Sequence, residues 1–286
     1  MHEITLADLI AALPDVAAQH ARTTPTYALL EKAAALAIKN TSFTKVEAAR
    51  ETIGGFGEVE LPYHKMGAVD SLDLFGLDEL IIFAFYWANR SRYRRAADIG
   101  ANLGLHSIMM SRCGWSVSAF EPDPTHAALL ERNLAVNRAS TVELVRAAVS
   151  DRVGEMEFVR VLGNTTSSHL AGAKEKPYGE LERFPVKVAA ISEIMQQVDF
   201  VKMDAEGQES VIILGTDAAQ WARTDMMVEV GSEANAEAIF NHLAKLKVSA
   251  FAQKLGWGRV VSLAEMPTSY KHGSLFLTAR ASMNWS

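Results

Sequence analysis

Four carboxylates, Asp98, Glu121, Asp204 and Glu229, stand in or directly after four short apolar runs, AADI, VSAF, FVKM and MMVEV. Runs of that length and composition read as buried strands, and residues just past the carboxyl ends of parallel strands are the ones that meet ligands. The first run continues as DIGANLG, which puts Asp98, Gly100, Ala101, Asn102 and Gly104 into one turn. Its glycines permit a tight bend and the close approach of a ligand to backbone. A dinucleotide fingerprint has a middle glycine where the main chain meets a pyrophosphate; Asn102 occupies that place and disfavours NAD. Glu121-Pro122 follows the second run, 23 positions beyond Asp98. An acid so placed either accepts two hydrogen bonds from a ribose diol or caps the helix that Pro124 opens. Four acids along one sheet edge repel a polyphosphate and suit a ligand with positive charge and a diol.

The elements that must hold these residues follow from periodicity. From Arg95 onward strands and helices alternate, with strands expected at 96–99, 115–120, 142–149, 200–203, 226–230, 248–251 and 275–278. Intervening helices of ten to fifteen residues call for right-handed crossovers and a parallel sheet covered on both faces. The last two strands have no helix between them, so the final one should run antiparallel. The expected fold class is α/β, a mostly parallel sheet with an antiparallel last strand. An added strand is expected at 156–161, a polar loop at 163–168 and a strand at 186–188. Residues 1–90 read as a helical N-terminal extension or cap ahead of an α/β domain at 91–286. Thr5 and Asp8 have capping-box spacing, Pro14 and Thr24-Pro25 open further helices, and a third helix should end at Gly54-Gly55. Val59, Leu61 and Tyr63 alternate as a short strand, and 75–88 reads as a helix packed on something larger. The four arginines at 90–95 suit that helix's C-terminus.

Composition narrows the classes. The chain has 286 residues, 49% of them apolar, with a net charge of −6, which suits an ordinary globular protein and disfavours nucleic acid as partner. A single cysteine, Cys113, excludes a disulfide scaffold and a cysteine-built zinc site. No apolar run approaches the ~20 residues of a membrane span, and the N-terminus lacks a basic segment followed by an apolar one. A cytoplasmic protein is expected, with a homodimer through the N-terminal helices as one use for the extension. Asp204, Glu206 and Glu229 are spread over two strand ends, so no metal is expected.

In order, DIGANLGLHS (98–107), AFEPDP (119–124), AAVSD (147–151) and FVKMDAEGQE (200–209), then a strand ending in Glu229, resemble the FkbM family of S-adenosylmethionine-dependent methyltransferases. S-adenosylmethionine also meets the charge requirement, having a sulfonium, an ammonium and a ribose. The resemblance covers roughly 76–229 and leaves the first fifty residues outside its pattern. It implies the seven-stranded, Rossmann-like methyltransferase fold, S-adenosylmethionine as methyl donor with S-adenosylhomocysteine as product, and a hydroxyl acceptor on a small molecule, sugar or glycan, or polyketide. It further implies that the turn from Gly100 through Ala101 and Asn102 to Gly104 lines the methionine part, that Glu121 takes the ribose and that the segment 148–151 lies near the adenine, with Asp98, Pro122, Ala148, Val149 and Asp204 counted among the cofactor-binding residues. After the fourth strand stands Asp-Ala-Glu-Gly instead of the two prolines and aromatic of many nitrogen methyltransferases.

An alcohol is a poor nucleophile until a base accepts its proton. Asp204 is the first candidate base, with a purely electrostatic role toward the cofactor as its alternative; His169 and His272 are the others. Lys202 lies two residues before Asp204 on the same face, where an ion pair would keep Asp204 charged. Glu209 reads as the start of a helix, and His106 as a packing residue. The competing readings are a non-catalytic S-adenosylmethionine-binding protein, and a methyltransferase acting on another atom or on nucleic acid.

Overall fold

The computed structural model describes residues 4–44, 49–67, 69–173, 179–283 and 285. The chain opens with α1 (Leu6–Ala12), where Thr5 and Asp8 form the capping box: Asp8 N donates to Thr5 Oγ1 at 3.1 Å and Thr5 N to Asp8 Oδ2 at 2.9 Å. A 3-10 segment with Pro14 near its start leads to α2 (Pro25–Asn40), capped by Thr24. The helix expected to end at Gly54-Gly55 is not what the described part of that stretch forms; residues 45–48 lie outside it. Instead β1 (Arg50–Thr52) pairs antiparallel with β2 (Glu58–Glu60). Long-range partners decide this: Glu60 N donates to Asn137 Oδ1 at 2.9 Å, and Asn137 Nδ2 donates back to Glu60 O at 2.6 Å.

Next, α3 (Leu77–Ala88) is apolar on nearly every side and buries eight of its residues. A helix of that kind belongs inside. Its Phe85 ring lies 6.0 Å from Phe200 and 5.2 Å from Phe276, both on the central sheet, so one apolar core runs from the N-terminal helices into that sheet. Full burial of such side chains contributes roughly 1.5–3 kcal/mol each.

The alternating part follows as β3 (Arg95–Ile99), α4 (Leu105–Arg112), β4 (Ser116–Phe120), α5 (Pro124–Val136) and β5 (Val142–Val145). An inserted segment supplies β6 (Ala148–Ser150), β7 (Gly154–Leu162), β8 (His169–Leu170) and β9 (Glu180–Ala190). Then come α6 (Ile191–Ile194), β10 (Phe200–Met203), α7 (Glu209–Leu214), α8 (Ala218–Trp221), β11 (Asp225–Glu229), α9 (Glu233–Leu246), β12 (Ser249–Ala252), β13 (Gly258–Arg259) and β14 (Ser274–Thr278). The large sheet has the order β13-β12-β14-β11-β10-β3-β4-β5. Neighbours from β11 to β5 are parallel, while β14 runs antiparallel to both β11 and β12. These are the seven expected strands plus the two-residue β13 at one edge.

Two expectations change here. The single strand at 142–149 is two, because β6 leaves the large sheet to pair with β9. The 186–188 strand is the end of an eleven-residue one, β9, which pairs along all of β7 to give a second sheet of order β6-β9-β7-β8. Cross-strand charge pairs hold this hairpin, Arg160 to Glu182 and Arg183 to Glu157, both at 2.6 Å.

Candidate active site

Strand order reverses between β3 and β10, and open sheets of this kind bind ligands at that switch point. The turns after β3, β4 and β10 converge there on a cavity of about 300 Å³, lined by Gly100, Asn102, Glu121, Pro122 and Asp204. The inserted sheet closes the same space with Ala148, Val149 and His169, and the segment before α3 adds Val69 and Leu74.

Gly100 has φ +75°, and a Cβ there would lie 1.9 Å from Asp204 O, so the two turns touch through backbone alone. Ala101 faces the other way, packed with Ala119 and Leu130, and Gly104 caps α4 in the left-handed region beside Leu130. Asn102, also at positive φ, donates its N–H to Glu121 Oε2 at 2.8 Å. Its own Oδ1 is buried and has no hydrogen-bond partner among the described residues.

Glu121 is 5% exposed, and Asp123 N donates to its second oxygen, Oε1, at 2.8 Å. Burial pushes the Glu121 carboxyl up to about 8, despite these two amide hydrogen bonds, and the charges of Asp123 and Asp98 add to the rise. The helix cap is not Glu121: Asp123 Oδ1 accepts from Thr125 N at 2.8 Å and His126 N at 3.4 Å.

Asp98 is fully buried; Oδ2 accepts from Ser107 Oγ at 2.6 Å, while Oδ1 accepts no hydrogen bond from any described residue. Lys202 Nζ lies 4.0 Å from that Oδ1. The ion pair expected between Lys202 and Asp204 is thus made with Asp98, its cross-strand neighbour in the register. Residues opposite each other on adjacent strands lie closer than residues two apart on one strand. Burial works against the Lys202 charge, but Asp204, Asp98, Glu79 and Glu229 outweigh it and hold the ammonium above its ordinary range. Glu79, from α3, bonds His106 Nε2 at 2.8 Å, whose Nδ1 meets Tyr86 OH at 2.9 Å; His106 is a buried pairing residue. Burial, with Asp204 and Glu79 nearby, pushes the Glu229 carboxyl well above its usual range. Asp204 therefore stands between the cavity and a second acid-rich group around Lys202.

His169 is 3% exposed, with Nδ1 2.9 Å from Ser167 O. His272 does not line the cavity; its Nδ1 accepts from Thr268 N at 3.1 Å. Glu209 opens α7 as expected, accepting from Gly207 N at 2.9 Å and Asn235 Nδ2 at 2.8 Å. Among the described residues no group of three or more His, Cys, Asp or Glu side chains is arranged to hold a metal, and no helix is long and apolar enough to cross a membrane.

A mostly parallel sheet with an antiparallel strand inserted beside β11, and a glycine turn at its switch point, is the Rossmann-like fold of the class I methyltransferases. The family model described as the methyltransferase FkbM domain matches residues 98–267. The chain belongs to that family. It is 30% identical to the methyltransferase sdnD of Sordaria araneosa over 43% of this chain and 61% of that relative, so the match spans less than two thirds of the relative. Among solved structures it is similar to the precorrin-6y C5,15-methyltransferase of Geobacter metallireducens GS-15 (15% identity, TM-score 0.35, 67% of this chain and 82% of that one). It is also similar to an O-methyltransferase from Bacillus cereus in complex with SAH (12% identity, TM-score 0.34, 68% and 78%).

Proposed function

We propose that the cavity takes S-adenosylmethionine and that the enzyme transfers methyl to a hydroxyl oxygen of a small-molecule, sugar or glycan, or polyketide-type acceptor. One observation carries the cofactor half: a buried carboxylate at the end of β4, Glu121, is aimed by two main-chain amides beside a glycine turn. That geometry suits a ribose diol. The unpartnered Oδ1 of Asn102, which lines the cavity, fits the ammonium of the methionine part, and Ala148 and Val149 offer the apolar wall that an adenine needs; Asp98, fully buried and paired with Lys202, does not line the cavity and acts from behind the turn. When bound, the cofactor supplies an electrophilic methyl on sulfur.

The chain's own residues then have two tasks. Closure by the inserted sheet and by Val69 and Leu74 orients the reactants, and in-line placement contributes several kcal/mol to lowering a methyl-transfer barrier. Asp204 accepts the acceptor's hydroxyl proton, since it lines the cavity and also borders the polar group of Glu79, Lys202 and Glu229. His169 is the second reading for the base because it lines the same cavity.

Calorimetric titration with S-adenosylhomocysteine and with NAD tests the cofactor; binding of NAD alone would refute it. Mass analysis of a panel of hydroxylated acceptors tests the transfer. Asp204→Asn is expected to slow methylation about 10²–10⁴-fold with cofactor affinity kept. Wild-type rates in that variant would move the base to His169.

A further inference from the structure

Arg160 lies on β7, outside the large sheet, with its side chain 12% exposed. Its guanidinium forks onto Asp123, Nε to Oδ2 and Nη2 to Oδ1, both at 2.7 Å. Nη1 holds Glu182 Oε2 at 2.6 Å, and the group stacks 4.8 Å from the centroid of the Phe184 ring. A bidentate guanidinium sets both the distance and the direction of a carboxylate. The Asp123 side chain is 1% exposed, and the same residue's N–H is one of the two donors that aim Glu121.

We propose that Arg160 is a positioning residue for the methyl donor: through Asp123 it fixes the direction of Glu121 toward the ribose hydroxyls, so the inserted hairpin sets donor affinity. This rests on the reading of Glu121 as the ribose acid. Arg160 also neutralises Asp123, which otherwise adds a negative charge beside Glu121 and favours its protonated form. The charged and titratable groups facing this pair are Asp98 from β3, His126 from α5, Arg160 from β7 and, through it, Glu182 from β9. His64, from the segment before α3, faces His126. A packing role for Arg160 changes stability; the positioning role also moves the pH dependence of cofactor binding.

The test uses the full chain, S-adenosylhomocysteine as probe, and calorimetric titration between pH 6.5 and 9, with melting temperatures recorded alongside. Arg160→Met is expected to weaken binding more than about tenfold near neutral pH and to move the plateau of affinity to higher pH. Arg160→Lys, a cation without the fork, should bring the pH profile back while recovering only part of the affinity. Adding Asp123→Asn to Arg160→Met should also restore the profile, since no unpaired charge is left. Arg160→Met binding within twofold of wild type, or losing affinity with an unmoved pH profile, overturns the proposal. If Arg160→Met does not fold, unchanged affinity in Arg160→Lys overturns it. A wild type that does not bind the probe removes the cofactor reading itself; a wild type that binds beside an indifferent Arg160→Met removes only the role of Arg160.

Discussion

The pH dependence of cofactor affinity should follow Glu121. A ribose diol donates hydrogen bonds, so the site needs the carboxylate, yet burial lifts this carboxyl to about 8. At pH 7 about one molecule in eleven is ionised, so selecting that form costs about 1.4 kcal/mol. Apparent affinity scales with the competent fraction. The dissociation constant for S-adenosylhomocysteine should therefore fall about ninefold from pH 6 to 7 and about fivefold from pH 7 to 8, then by less than about twofold to pH 9. Binding at pH 7 should release about 0.9 proton, read by calorimetry in buffers of contrasting ionisation enthalpy. Glu121→Gln should bind more weakly and lose the slope between pH 6 and 8; it also serves as baseline for the ligand's own amine, which ionises at higher pH. A flat wild-type profile without proton release, or the same slope in Glu121→Gln, refutes the assignment.

Stability should move in the opposite sense. The folded-state pKa of Glu121 lies above its ordinary 4.5, so its contribution is fully present below pH 4.5 and is lost as pH rises toward about 8. Urea midpoints of wild type should therefore decline across that window more than those of Glu121→Gln. Gly100→Ala forces a Cβ to within 1.9 Å of Asp204 O and should separate the two turns, abolishing S-adenosylhomocysteine binding and lowering the urea midpoint; normal binding would contradict the backbone contact. Lys202→Met leaves Asp98 buried without its cation and should cost about 3–5 kcal/mol in urea unfolding. A loss under about 1 kcal/mol would mean that the pair carries little of the stability.

Much of the parallel sheet was legible because its strands are short apolar runs, most of them with a helical stretch between one and the next. The glycine turn and the acids at strand ends were legible for the same reason, since strand polarity alone puts them on one edge. The inserted sheet was not. In ELERFPVKVAA charged residues hide the alternation, and Pro185 looks like a break, until Glu182 is seen to face Arg160 across the hairpin and Arg183 to reach diagonally to Glu157. The sequence offered Glu121 as the helix cap, a place that Asp123 takes, and the link from Asp123 to Arg160, 37 positions away, exists only once β7 is folded back over the turn. Likewise Lys202 has two carboxylates to choose from along the sequence edge, and only the register between β3 and β10 selects Asp98.

The place of β14 bears on the order in which the molecule can be assembled. Although it follows all the other described strands in sequence, it is bonded on both sides, to β11 through Met226–Leu277 and to β12 through Ala250–Leu277. Synthesis therefore delivers its two neighbours first and must leave a slot between them. Phe276, which meets Phe85 from one direction and Phe251 from another, arrives after almost everything it touches. Until it does, the edges of β11 and β12 are bare and the core under α3 has a gap at its centre. A nascent chain held on the ribosome short of residue 274 is thus an open sheet, and the interval before that last insertion is when the protein is most exposed to mispairing and to chaperones.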